Sequence, residues 1–401
     1  MQNSTQIECL IKRVEEASAE AFQTLSYATS APSGAGYFRV MPEDFFVEEQ
    51  ISYEHSGAGE HLWLWVEKKG ENSDWVAKEL AKWAGVSRKN VGMAGQKDRH
   101  AVTRQWFSIT LPGKADPDFS RWQHESVTIL KHIRHQRKLQ RGGLQGNRFV
   151  IRLRGLQSQL TAEQFKQDLT QRLLFISQHG VPNYFGEQRF GHKGNNLNNA
   201  LSWLQEGQKR RITPNQRSLY LSAIRSWVFN QYLSARVESQ SWDQYVVGDA
   251  LNLEGSERWF VETAEEQQLD LQRRVAEKDL HPTGLLCGEG DPATFGVARQ
   301  WDEQLNQTYA DWIELLSTVR MKQDRRALRL LLGHDDFSFK WIAAETAPQN
   351  PEFDAFLAEN SEGKNRLTED LVIEFSLTSG SFATMVLREL TFLKSFLGQK
   401  P

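Results

Sequence analysis

A mixed α/β (α+β) fold, with an antiparallel or mixed sheet and flanking helices and interrupted by a largely helical second domain, is what the sequence predicts. Three observations carry this. Strand-like, aromatic-rich segments crowd the first 160 residues, helix-like stretches dominate the middle, and strand signals return from Phe337 onward. The 401 residues suffice for two or three domains. The expected divisions are a leader (1–35), a first domain in two parts (36–172 and 346–401), and an insert (173–345).

The elements follow in order. The leader is polar, with a helical pattern over Ile11 to Phe22, and closes in Ser30-Ala-Pro-Ser-Gly-Ala-Gly36. Strand patterns begin at Tyr37 and recur at Phe45 to Ile51 and His61 to Glu67. An amphipathic helix over Ser73 to Ala84 has Asn72 or Ser73 as N-cap and Gly85 just past its end. Gln105 to Thr110, Val127 to Leu130 and Phe149 to Leu153 read as strands, the last two joined by a basic loop, Lys131 to Arg148. A capping box at Thr161-Ala-Glu-Gln164 opens a helix to about Gln178, stopped by Gly180 and Pro182. Helices are expected at Leu219 to Val237, Gln300 to Leu316 and Arg325 to Leu332. Strands are expected at Phe337 to Ile342 and Leu371 to Leu377, then a final helix from Phe382 to about Leu397, capped by Ser381.

Composition narrows the function classes. About 39% apolar and 25% charged residues is ordinary globular usage. No apolar run approaches the roughly 18 residues that span a bilayer, and no secretory signal pattern opens the chain. A cytoplasmic protein without a membrane role is expected. Cys9 and Cys287 are too few for a disulfide framework or a thiolate metal site. The histidines show no metal-ligand spacing, and the Gly-x-Gly pairs at Gly34 and Gly57 lack a dinucleotide-site context.

The net charge of −3 conceals segregation. No acid lies between Glu125 and Glu163, an interval with eight cations including Lys131, Arg148, Arg152 and Arg154. A second basic series runs from Arg189 to Arg225. Such segregation suits a phosphate backbone, although a solvated surface has the same composition.

Gly95-Gln-Lys-Asp98-Arg-His-Ala-Val-Thr103-Arg-Gln105 is the most informative stretch. It sets an acid on a loop that runs at once into a strand, a position both rigid and reachable. The pattern Gly-x-Lys-Asp-x-x-Ala-x-Thr-x-Gln resembles the catalytic motif of the D-type tRNA pseudouridine synthases. Three more segments match that family in the same order: Arg39 to Glu49, Asn183-Tyr-Phe-Gly-Glu-Gln-Arg-Phe-Gly191, and Ser379-Gly-Ser-Phe382 to Glu389. Together they cover residues 36 to 395.

The resemblance implies an isomerase that converts a uridine of tRNA, at position 13 in the D arm, to pseudouridine. It implies a pseudouridine synthase catalytic domain (36–172 plus 346–401) around a family-specific insert, with RNA between them, contacted by the Lys131 to Arg154 face. The reaction is an isomerisation and calls for no cofactor, and no protein partner is evident. Asp98 would be the catalytic carboxylate. A nearby cation keeps such a group ionised. Lys97 and Arg39 are the candidates: Lys97 is adjacent, but successive side chains on an extended segment point opposite ways, and the resemblance implies a Lys or Arg facing the acid from the N-terminal strand, so Arg39 is preferred. Phe45 and Phe382 would sandwich the extruded base and Asn147 would contact its edge.

Each of these has an alternative reading. Of the consecutive Phe45 and Phe46, one should face the core; Phe382 suits a core position at a helix start; Asn147 after Gly146 suits a turn. Asn183 to Gly191 fits a structural corner with Tyr184 and Phe185 buried and Arg189 facing the RNA. For the whole chain, a non-catalytic protein that binds or remodels tRNA is the alternative. A metal-dependent hydrolase would need clustered carboxylates, and none flank Asp98.

Overall fold

The computed structural model describes residues 11–51, 56–140, 143–264, 267–333, 337–344, 350–359 and 363–396. Cys9 and Arg141 lie outside the described residues. The chain folds as two compact units, each drawn from separated stretches. A sheet unit takes Pro32–Ser177, Leu332–Gly380 and Leu390–Pro401; a long-helix unit takes Met1–Ala31, Gln178–Leu331 and Ser381–Glu389. Among the described residues no helix is long and apolar enough to cross a membrane.

The sheet unit is built on an eleven-stranded mixed sheet. Its first seven strands are β1 (Gly34–Phe38), β2 (Phe45–Ile51), β3 (His61–Lys69), β4 (Val91–Met93), β5 (Val102–Thr110), β6 (Val127–His135) and β7 (Leu144–Ser158). The main path runs Ser338–Ala343, Glu369–Thr378, β7, β2, β5, β3, β6. Only the β2–β5 contact within it is parallel.

Register fixes which side chains share a face, because residues alternate along a strand. Glu49 lies opposite Asn147, Val47 opposite both Phe149 and Thr103, and Lys68 opposite Thr103. Lys68, Thr103, Gln105, Glu49 and Asn147 therefore share one face. Helix Ser73–Trp83 packs on that face through Val76, Ala77 and Leu80, against Leu62, Leu64, Phe107 and Ile109.

The opposite face carries a ladder of charge. Arg104 contacts Glu67 at 2.8 Å and Glu48 at 3.2 Å, while Arg148 contacts Glu48 at 3.8 Å and Glu374 at 2.6 Å.

In the long-helix unit, helix Pro214–Glu238 is the core element, with Trp227, Phe229, Tyr232 and Leu233 fully buried. Thr213 opens it: its hydroxyl accepts from the Gln216 amide at 3.2 Å, and its own amide donates to the Gln216 side chain at 3.0 Å. Shorter helices, including Gly296–Thr308 and Ala310–Ser317, accompany it. The unit also holds a four-stranded sheet, in the order Trp259–Val261, Ala250–Leu253, Leu280–Leu286, Asp324–Ala327. Three of those strands lie in the acidic segment 241–308, whose Asp249 and Asp302 are fully buried against Arg236 and Arg325.

Several predicted elements are corrected. Arg325 to Leu332 is not helical: Asp324–Ala327 pairs with Leu280–Leu286, and Arg329–Leu330 pairs with Val181–Pro182. Buried pairing and the Arg325–Asp302 contact outweigh the local helix propensity of Ala, Leu and Arg. The helix begun near Phe382 covers only Ala383–Arg388, with Phe382 itself as N-cap, because Phe392–Ser395 joins β1 in parallel. The predicted basic loop is mostly strand, since β6 runs to His135 and β7 starts at Leu144. The leader's helix is short, Ala19–Gln23.

Candidate active site

Asp98 sits on the loop between β4 and β5, with its side chain 38% exposed. Its Oδ2 accepts from Arg39 Nη2 at 2.8 Å. Arg39 follows the end of β1 with φ of 57°, a left-handed backbone that non-glycine residues rarely adopt. Strain of that kind costs on the order of 1–3 kcal/mol and gathers at functional sites. Here it turns the guanidinium onto the Phe45 ring, 4.1 Å from the centroid, and toward Asp98. Burial pulls the Arg39 guanidinium below its ordinary pKa, and the Asp98 charge partly offsets that. Its Nε is buried without a hydrogen-bond partner among the described residues.

Lys97 points elsewhere. Its ammonium donates to Glu49 Oε1 at 2.9 Å, and Glu49 Oε2 accepts from the Trp106 amide at 2.9 Å. The loop is also tied through Ser73. The Lys97 amide donates to Ser73 Oγ at 3.0 Å, Ser73 Oγ donates to Gln105 Oε1 at 2.6 Å, and Gln105 Nε2 donates to the Gly95 carbonyl at 3.1 Å. Asn72 takes the N-cap position without a side-chain bond, which leaves Ser73 for this role.

Sequence reasoning missed Lys68. It is fully buried on β3 and donates its ammonium to the Asp98 main-chain oxygen at 2.7 Å. Burial lowers its pKa to about 8, against the pull of the Asp98 carboxylate. A lysine at the end of an alternating strand reads as solvent-exposed; only the β3–β5 register turns it under the loop.

Asn147 lies on the same face, one strand beyond Glu49, and its Oδ1 is buried with no hydrogen-bond partner among the described residues. Phe45 is 2% exposed and covered on one side by Arg39, while Phe46 is half-buried under Arg104. Arg39, Asp98, Phe45 and Asn147 thus all belong to the sheet unit. Phe382 belongs to the long-helix unit, half-buried, with its ring 6.1 Å from Phe185 and 5.8 Å from the Arg189 guanidinium.

The family model of tRNA pseudouridine synthase D (TruD) matches residues 21–200 and 195–390. The chain belongs to the tRNA pseudouridine synthase D family. It is 42% identical over 369 residues to tRNA pseudouridine synthase D of Hydrogenovibrio crunogenus, covering 92% of this chain and 96% of that one. It is 43% identical over 371 residues to the same-named protein of Methylococcus capsulatus, covering 92% and 94%. A crystal structure of the putative tRNA pseudouridine synthase D of Methanosarcina mazei shares the fold, with a TM-score of 0.68 at 22% identity over 93% of this chain and 97% of that one.

In this family member the Lys131 to Arg154 interval is not an open basic face. Arg148 and Arg152 alternate with Asn147, Phe149 and Ile151, so they lie on the side of the sheet away from Glu49 and Lys68. Arg152 contacts Asp370 at 2.8 Å, Arg154 contacts Asp44 at 2.7 Å, and Arg134 contacts Asp116 at 2.7 Å. A stretch without acids in sequence has acquired them from neighbouring strands and loops. Lys131 and Arg137 remain exposed.

The Asn183 to Gly191 signature of the family is a buried corner: Asn230 bonds both the amide and the carbonyl of Phe185 at 2.9 Å, and Tyr184 donates to the Ser26 carbonyl at 3.0 Å. Among the described residues no group of His, Cys, Asp and Glu is arranged to hold a metal. Cys287 is buried, which pushes its thiol up to about 12 and leaves it unreactive.

Proposed function

We propose that this chain isomerises a uridine of tRNA, at position 13 in the D arm, to pseudouridine, with Asp98 as the catalytic carboxylate. The observation that carries the reading is the Arg39–Asp98 pair: a half-exposed carboxylate held by a desolvated guanidinium on a loop anchored at Lys68 and Ser73. The family membership and the matched relatives support the same activity.

The reaction breaks the bond between N1 and the ribose C1′, turns the uracil and rejoins C1′ to C5. N1 gains the proton that C5 loses, so no oxidant or external group is consumed. Asp98 acts as an oxygen base or nucleophile toward the ribose or the base. Asn147, with an unpaired acceptor in a buried position, receives a donor edge of the uracil. Phe45, beneath the Arg39 guanidinium that holds Asp98, walls the position of the base. The work is done in the cytoplasm on folded tRNA, from which the nucleotide is extruded.

The test is to incubate the protein with an unmodified tRNA transcript and map carbodiimide adducts by reverse transcription. A single stop in the D arm at position 13 is expected. A transcript that is bound but never modified supports instead a protein that only binds or remodels tRNA.

A further inference from the structure

The two basic series fare differently on folding. Four of the first, Arg134, Arg148, Arg152 and Arg154, are ion-paired, whereas the second, from Arg189 to Arg225, forms no ion pair among the described residues. Part of that series converges on one cavity of the long-helix unit.

Helix Pro214–Glu238 presents Arg217, Ser218, Leu221, Ser222 and Arg225 along one stripe, at the spacing of three and four that places side chains on a common face. With Phe185 and Leu286 they line a cavity of about 270 Å³. That is near the lower end, about 300 Å³, of pockets that take small molecules. Arg217 is exposed. Arg225 is held from behind by neutral atoms alone: Cys287 O at 3.1 Å, Leu286 O at 3.3 Å and Met321 Sδ at 3.6 Å. Burial depresses its pKa, and Cys287 and Asp324 offset part of that.

The wall continues the same chemistry. Phe185 carries the Arg326 guanidinium at 4.1 Å and the Arg189 guanidinium at 5.3 Å. Arg189 Nε is buried without a hydrogen-bond partner among the described residues, and burial lowers its pKa too. A desolvated guanidinium of this kind costs stability until an anion meets it. Guanidinium forks beside serine hydroxyls suit the oxygens of a phosphate diester, not a cation or an apolar group.

We infer that this cavity is a subsite for a backbone phosphodiester of the tRNA. The continuity of Phe382, Arg189, Phe185 and Arg326 with the Arg217–Arg225 stripe selects RNA backbone over free phosphate. The inference rests on the proposed function for the identity of the RNA, but not for the existence of an anion subsite.

The experiment is fluorescence anisotropy of labelled, unmodified tRNA with the full-length protein across a series of salt concentrations. Arg217→Gln should weaken binding about five- to tenfold and reduce the salt slope by about one unit, as loss of one phosphate contact does. Arg225→Lys, which keeps the charge but loses the fork, should weaken binding with little change of slope. Arg258→Gln removes an exposed charge elsewhere in the same unit and controls for net charge. Affinity and slope of Arg217→Gln equal to wild type, or to Arg258→Gln, would overturn the subsite. If wild type modifies tRNA but this pattern is missing, the subsite alone falls; if the pattern holds but nothing is modified, the proposed activity falls and the subsite stands.

Discussion

Lys68 donates its buried ammonium to the main-chain oxygen of Asp98 at 2.7 Å, so the residue that carries the proposed chemistry is fixed by its backbone as well as by its carboxylate. Arg39 holds the side chain and Lys68 holds the loop beneath it. Both cations are desolvated, and the Asp98 charge offsets part of the cost for each.

Lys68 gives a pH-dependent stability. Its pKa drops from 10.5 to about 8 on folding. Below pH 8 both states are protonated and the destabilisation is complete, on the order of 3 kcal/mol. Between about 8 and 10.5 the unfolded chain binds the extra proton, so stability rises with pH. Urea unfolding at pH 7.5 and 9.5 should show this gain in wild type and not in Lys68→Met. Lys68→Met should also lower turnover at least about tenfold while tRNA binding persists, because it loosens the loop but leaves the basic series intact.

Arg39→Gln should reduce the single-turnover rate about a hundredfold or more, since it removes the charge that faces Asp98. Arg39→Lys should recover only part of it, because an ammonium cannot both lie flat on Phe45 and reach the carboxylate. Equal rates for wild type and Arg39→Gln would remove the pair from the mechanism.

Asn147→Ala should leave the melting temperature within a degree or two, since its Oδ1 makes no bond among the described residues. Turnover should fall about tenfold or more. A large stability loss with normal turnover would make Asn147 a structural residue instead.

Arg148→Gln tests the reassigned basic interval. Arg148 is one-third exposed and paired with Glu48 and Glu374. Its removal should cost under about 1 kcal/mol in urea unfolding. Affinity for tRNA should change less than about twofold, with an unaltered salt slope. A slope lower by one unit would return this face to the RNA.

The sequence shows some of this directly and hides the rest for physical reasons. Local signals mark the capping box at Thr161, the helix behind Ser73, and the loop that presents Asp98, because each is decided within a few residues. Alternation separates Lys97 from Asp98, and Lys97 lies on Glu49. Lys68, the ion pairs of Arg148 to Arg154, and the strands at Asp324–Ala327 and Phe392–Ser395 depend on partners from 30 to 357 residues away in sequence, so no local pattern announces them. Alternation says that one of Phe45 and Phe46 faces the core; that it is Phe45, packed on Phe149 and covered by Arg39, follows from strand register and one left-handed residue.

The most direct test is single-turnover conversion of a D-arm uridine by Asp98→Asn, measured beside its tRNA affinity. No product above background, with affinity within about threefold of wild type, is the predicted result. Product at more than a few per cent of the wild-type rate would contradict it, and would take Asp98 out of the reaction.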